Sequence, residues 1–207
     1  MEVSYHSFPS GKLYTYVLDN SKPVFLRNIV LLRHEQDPEK IVIVHEWGQK
    51  DNRWEPPKGQ MEWKEYSDLH IQPNTVLSVK QIQTQMRKGI MREMTEESYI
   101  LFKEVKNFHM LPLSYVQDWP ESGIKGAKFM YQYWTATITD EVMKKAKKRL
   151  HAIVSTPDLK MILPSDVCEK DAIEWWSPAN GWKKIRSGFS QKMTRLYYKF
   201  LHEHGVS

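Results

Sequence analysis

The segment Arg92-Glu93-Met94-Thr95-Glu96-Glu97 constrains this chain more than any other. Read as a helix, it places three glutamates at i, i+3 and i+4, on one face. Helix-forming residues dominate the run from Val79 to Glu97, which supports that reading. Ile82, Met86, Ile90 and Met94 recur at every fourth position and give the helix an apolar stripe for a core. Ser78 is placed to cap its start. The clustered carboxylates repel one another. A divalent cation with oxygen ligands, Mg²⁺ or Mn²⁺, relieves that repulsion, and so does a fully solvated acidic face.

Upstream, Trp54-Glu55-Pro56-Pro57-Lys58-Gly59-Gln60-Met61-Glu62 is turn-rich, and five residues separate Gly59 from Glu65. With these residues the chain resembles the Nudix hydrolase family. The family's box reads Gly, five residues, Glu, seven residues, then Arg-Glu-U-x-Glu-Glu-x-Gly-U, where U is bulky and apolar. Gly59, Glu65, Arg92, Glu93, Met94, Glu96, Glu97 and Ile100 fill the matching places. Two departures stand out. Twenty-six residues separate Glu65 from Arg92 where the family has seven, an insertion of nineteen. Tyr99 replaces the glycine that serves a left-handed helix cap, which implies a different exit from the helix.

The resemblance implies a Nudix-type α/β/α sandwich with a mixed β-sheet and an insertion inside the box. It also implies hydrolysis of a diphosphate linkage in a nucleoside-diphosphate derivative. Water is the nucleophile, and bound metal neutralises the phosphates and lowers the pKa of water. Glu93, Glu96 and Glu97 match the metal-binding glutamates, and Gly59 matches the glycine whose carbonyl reaches a metal. Arg92 is expected to pair with Glu65 and Glu96 rather than to touch substrate. Lys58 is a candidate for a phosphate oxygen. A further acid is expected before the last core strand, in Glu169-Lys170-Asp171-Ala172-Ile173-Glu174-Trp175. Glu169 leads there with Asp171 as its competitor, and Glu174 should face the opposite way.

The remaining pattern fits an α/β chain read as one domain over residues 1–207. Val24 to Leu32 and Lys40 to Val44 read as a strand hairpin around the polar loop His34 to Glu39. Gly48 to Arg53 and Tyr66 to Leu77 read as loops, the latter on the rim of the site. Ala127 to Ile138 and Ala172 to Trp176 read as strands. Asp140 to His151 reads as a helix capped by Asp140, and residues 190–204 as a C-terminal helix. Gly89, costly inside a helix, implies close packing there.

Composition narrows the partners. Hydrophobic residues at 41% suit a globular fold. The lone Cys168 excludes an intrachain disulfide and favours a reducing compartment. The histidines show no zinc spacing. No apolar run reaches the roughly 20 residues that span a bilayer, and the N-terminus has no leader pattern. The expectation is a soluble cytoplasmic protein, including host cytoplasm or a virion if viral. A net charge of +5, eight tryptophans and ten tyrosines suit a nucleotide or RNA ligand. Lys144, Lys147 and Lys148 can share one helix face and are the candidate RNA contacts.

The enlarged basic chain resembles the decapping Nudix enzymes of large DNA viruses, which remove the 5′ cap of mRNA and release methylated GDP. Trp54-x-Pro-Pro-Lys-Gly instead resembles hydrolases of dinucleoside polyphosphates, and inositol pyrophosphates also suit a basic surface. A Nudix-fold RNA-binding module without catalysis is the reading from another class.

Overall fold

A computed structural model of the chain describes residues 1–49 and 53–205, so the middle of the expected Gly48–Arg53 loop lies outside the described residues. The strands are β1 (Glu2–Ser7), β2 (Leu13–Asp19), β3 (Lys22–His34), β4 (Ile41–Glu46), β5 (Trp54–Glu55), β6 (Lys58–Gln60), β7 (Thr75–Val76), β8 (Lys106–Asp118), β9 (Lys128–Ile138) and β10 (Lys170–Trp176). The α-helices are α1 (Val79–Ser98), α2 (Asp140–Val154), α3 (Pro157–Ile162) and α4 (Phe189–Glu203).

β3 organises the mixed sheet. β9 runs parallel to it from Val24 to His34 on one edge. The other edge is shared in turn by β2, β6 and β4. The Trp54–Gln60 segment pairs first with β4 and then with β3, filling the place where β2 and β4 diverge. That divergence opens the sheet beside β6, and the candidate site lies there.

Alternation along β3 and β4 sorts the core into two layers. Leu26, Val30, Leu32, Val42 and Val44 pack with α1 and α2. Phe25, Ile29, Leu31, Ile41 and Ile43 pack with Met193, Tyr197, Phe200 and Leu201 of α4. Helices therefore cover both faces, and the mixed α/β/α arrangement expected from the sequence is present.

Three local expectations need correction. Thr139, not Asp140, caps α2: its hydroxyl accepts the Val142 N–H. Asp140 is the first helical residue and accepts the Trp175 indole N–H at 2.9 Å. Residues 66–77 are not a plain loop. A 3-10 helix spans Trp63–Leu69, Tyr66 is buried, and β7 pairs with β1. Much of the remaining insertion extends α1 toward its N-terminus. Third, the exit from α1 is the ordinary left-handed one, with Tyr99 itself at φ 59°. A non-glycine residue is strained there, but the Tyr99 ring is buried and its hydroxyl donates to the Val167 carbonyl at 2.6 Å. One strand, β8, has no clear sequence signal. It is an edge strand interrupted at Pro112, where the register slips and the Gln132 side chain donates to the Leu111 and Leu113 carbonyls.

Candidate active site

Two glycines bring α1 onto the β6 turn. β6 pairs with the middle of β3, placing Gly59 opposite Asn28. A Cβ on Gly59 would lie 1.8 Å from Cδ of Glu93, so only glycine lets that carboxylate rest on the turn. A Cβ on Gly89 would lie 2.4 Å from Sδ of Met61. The close packing expected at Gly89 is therefore against the residue that follows β6. Asn28 locks the same contact from below, donating to the Met86 carbonyl and accepting from the Trp134 indole.

Arg92 gathers the acids. Its Nε donates to Glu65 at 2.7 Å, Nη1 to Glu96 at 2.6 Å and Nη2 to Glu93 at 2.8 Å. The second oxygen of Glu65 accepts the Glu62 N–H at 2.6 Å, so Glu65 ties the turn to the helix. Burial pushes the Glu65 carboxyl up, with Arg92 opposing. The motif pair thus forms across the insertion. Glu62, which the sequence reading passed over, joins the group at 3.6 Å from Arg92.

Glu97 points the other way. It accepts the Lys58 backbone N–H at 2.6 Å and the Lys170 ammonium at 2.9 Å. Lys58 Nζ binds Glu55 at 2.6 Å, and Ser190 of α4 donates to the other Glu55 oxygen at 2.7 Å. Burial drives the Glu55 carboxyl up, yet Lys58 and Lys170 outweigh it and hold the group at about 2. Lys58 is held above its usual value because Glu55 outweighs its burial. Lys170 also lies 3.8 Å from Glu55, so it bridges the two glutamates and, with Lys58 on Glu55, balances their charge. Glu55 and Lys170 had no sequence signature, since burial and pairing depend on tertiary contacts; adjacency to Pro-Pro-Lys and to Glu169 was the only hint.

Glu169 lines the resulting cleft with Lys58, Gly59, Glu93 and Glu97. Its competitor Asp171 is committed elsewhere, to His45 Nδ1 at 2.6 Å and the Gly48 N–H at 3.2 Å. Glu174 pairs with Lys184. From the β2 side, Lys12 and Tyr14 reach the same cleft, and neither was foreseen.

The donor set suits a hard divalent cation: carboxylates and a backbone carbonyl, with no sulfur or imidazole. Burial, together with Glu97 and Glu96, pushes Glu93 up to about 8 despite Arg92. Burial is the largest cause, and the two neighbouring glutamates add to it; a cation bound there would favour the ionised form. As they stand, no three His, Cys, Asp or Glu side chains among the described residues converge to enclose an ion. Arg92 engages one oxygen each of Glu93 and Glu96, so their second oxygens are the ones a metal would claim. Glu93 and Glu96 would hold it with the Gly59 carbonyl, and Glu97, whose two oxygens already accept from the Lys58 N–H and Lys170, would have to share one of them with it.

Lys144, Lys147 and Lys148 are exposed on α2. Arg149 is not part of that face, because it chelates Glu104 and donates to the Tyr99 carbonyl.

No protein-family model matches the chain, and no curated protein matches it. Among solved structures, a NUDIX hydrolase from Nitrosomonas europaea is similar at 12% identity and TM-score 0.41, covering 85% of this chain and 89% of that one. An Ap4A hydrolase binary complex from C. elegans is similar at 14% identity and TM-score 0.45, covering 87% and 99%. The E. coli ORF135 protein is similar at 12% identity and TM-score 0.47, covering 90% and 96%.

Proposed function

We propose that this chain is a divalent-metal-dependent Nudix hydrolase that cleaves the diphosphate linkage of a nucleoside-diphosphate derivative, with the 5′ cap of mRNA as its substrate. One observation carries the hydrolase reading: Gly59, Glu65, Arg92, Glu93 and Glu96 close into a single contact network although residues 66–91 separate the two halves of the motif. A solvated acidic face would need no arginine hub, no glycine under Glu93 and no buried partner for Glu97.

The residues divide the work. Glu93, Glu96, Glu97 and the Gly59 carbonyl supply metal ligands. Bound metal supplies charge neutralisation and a more acidic water. Glu169, on the lining of the same cleft, orients or deprotonates the attacking water. Arg92 and Glu65 hold the carboxylates in register. Lys58 fixes Glu55 and, with its backbone N–H on Glu97, braces a ligand.

Capped RNA is favoured over a free dinucleotide by the path of α2. Its start lies at Trp175 and its later turns at Tyr99, whose hydroxyl binds the loop before Glu169. Lys144, Lys147 and Lys148 are exposed on this helix, and a chain that leaves the site along it would meet them.

The test is incubation of capped RNA, dinucleoside polyphosphates, ADP-ribose and inositol pyrophosphates with Mg²⁺ or Mn²⁺, with products identified by mass. Release of methylated GDP from capped RNA is expected. Cleavage of dinucleoside polyphosphates alone replaces the substrate but keeps the enzyme class; chelator-resistant turnover, or none, sinks the hydrolase reading.

A further inference from the structure

A pocket on the α4 side of the sheet shares no lining residue with the acidic cleft. β3 contributes Arg33 to it, α4 contributes Tyr197, Phe200 and Leu201, and β8 contributes Leu111 and Pro112. The β8 residues belong to the stretch where that strand slips its register against β9. The pocket has a volume of about 300 Å³. An apolar cavity of roughly 150 Å³ holds a benzene ring, so a ring or short chain with a polar head fits here.

Alternation along β3 turns Arg33 to the face that carries Phe25, Ile29 and Leu31, among apolar groups. Its Nε is buried without a hydrogen-bond partner, and its guanidinium forms no ion pair among the described residues. The Tyr197 hydroxyl is also buried and makes no well-formed hydrogen bond, although Thr135 lies beside it. The Thr135 hydroxyl itself donates to the Leu31 carbonyl at 3.1 Å. Burial pushes the Tyr197 phenol up to about 12, so it stays a donor, and the charge of Arg33 bears on it more than that of Glu39. The field at the phenol is therefore positive. No Asp or Glu stands in the lining among the described residues. His109 and His204 complete the lining and are exposed, each with Nδ1 on a backbone carbonyl, at 2.7 and 2.9 Å. Buried donors without an acceptor call for one.

We propose that this pocket is a binding site for a small monocarboxylate with an apolar body. The carboxylate sits on the Arg33 guanidinium, with the Tyr197 hydroxyl as a further donor, and the body lies against Leu111, Pro112, Phe200 and Leu201. A guanidinium presents parallel N–H groups that match the two oxygens of a carboxylate. One fixed cation balances one negative charge, whereas a phosphate dianion would leave charge unmatched between apolar walls. The site is independent of the hydrolase reading and stands whether or not the acidic cleft cuts a diphosphate.

Calorimetric titration of the full chain in chelator, with benzoate, hexanoate, benzamide and inorganic phosphate, tests the site. Benzoate and hexanoate should bind. Benzamide has the shape of benzoate without its charge and should bind about tenfold more weakly or worse, the scale of losing hydrogen bonds between charged groups. Phosphate should not displace benzoate. Arg33→Gln should weaken benzoate by about tenfold or more and leave benzamide unchanged. Arg33→Lys keeps the charge but not the fork, so it should retain part of the benzoate affinity. Phe200→Ala removes a wall and should weaken benzoate and benzamide together. Benzoate should raise the melting temperature of the parent but not of Arg33→Gln. Arg33→Gln deletes a charge that has no ion pair to lose, so it should fold; melting curves identify any variant that does not, and Arg33→Lys then keeps the test standing. Benzoate that binds no tighter than benzamide, or is indifferent to Arg33→Gln, overturns the site. Displacement of benzoate by phosphate, or no binding of either carboxylate at millimolar concentration, overturns it as well.

Discussion

At the scale of single residues, the site is a set of carboxylates whose charge is only partly matched. Glu97 is sunk between the Lys58 N–H and Lys170, so Glu97→Gln removes the counter-charge of a buried lysine and, on the proposed function, a metal ligand as well. Turnover should drop at least about 10²-fold, the scale of losing one strong electrostatic contact at a reacting centre. Melting temperature should fall too, because a buried ammonium loses its anion. Retained activity would remove Glu97 from the metal site. Glu93 gives a pH dependence. Its folded-state value, about 8, is raised above the ordinary carboxylate value, so below that pH the carboxyl is mostly protonated. On the proposed function, a metal bound by Glu93 must displace that proton. Affinity for Mn²⁺ should therefore rise as pH increases from about 6 to 8, with proton release in calorimetry, and Glu93→Gln should abolish the release. Glu55 runs with the opposite sign. Its value is depressed to about 2, so its contribution to stability is full above the unfolded value of 4.5 and is lost as pH falls toward 2. Melts across that window should show a shallower acid limb for Glu55→Gln.

At the scale of elements, periodicity and punctuation carried the reading of the chain a long way, and burial carried it the rest. The apolar stripe of α1, the Ser78 cap and the glycines at 59 and 89 were visible because each has a fixed spacing or a steric demand. Tyr99 was misread because the left-handed cap needs a backbone conformation, not glycine itself. A buried ring and a hydrogen bond to Val167 offset the strain. The insertion was misread because short apolar fragments such as Tyr66 and Leu77 have no period, yet both are buried, and the N-terminal ammonium of Met1 donates to the Leu77 carbonyl. It is part of the scaffold. Tyr66→Ala should cost about 3–5 kcal/mol in denaturant unfolding, as for other buried aromatics; a loss under about 1 kcal/mol would return the segment to the periphery. Gly89→Ala tests the helix contact. Helix propensity alone favours alanine by about 1 kcal/mol, but the new Cβ overlaps Met61, and overpacking costs about 1–3 kcal/mol. The variant should be less stable than the parent, while Gly89→Ala combined with Met61→Ala should recover part of that contact cost.

At the scale of the whole molecule, the chain carries a positive excess that the acidic cleft does not use. The candidate site is a small anionic pocket, yet the net charge is +5 and three lysines of α2 stand in solvent. A small diphosphate would be served by the cleft alone. A continuing polynucleotide would also meet α2, and each phosphate it neutralises releases counterions. Charge reversal at Lys144, Lys147 and Lys148 should therefore weaken binding to long RNA and make its salt dependence shallower. Three lost contacts on a single strand reduce the slope of log affinity against log salt by about 2. Cleavage of a dinucleoside polyphosphate should stay close to the parent rate, because these side chains lie outside the cleft lining. A parallel loss on both substrates would mean that the lysines act through the fold. An unchanged slope would mean that RNA does not follow α2, and the excess charge would then need another polyanion to explain it.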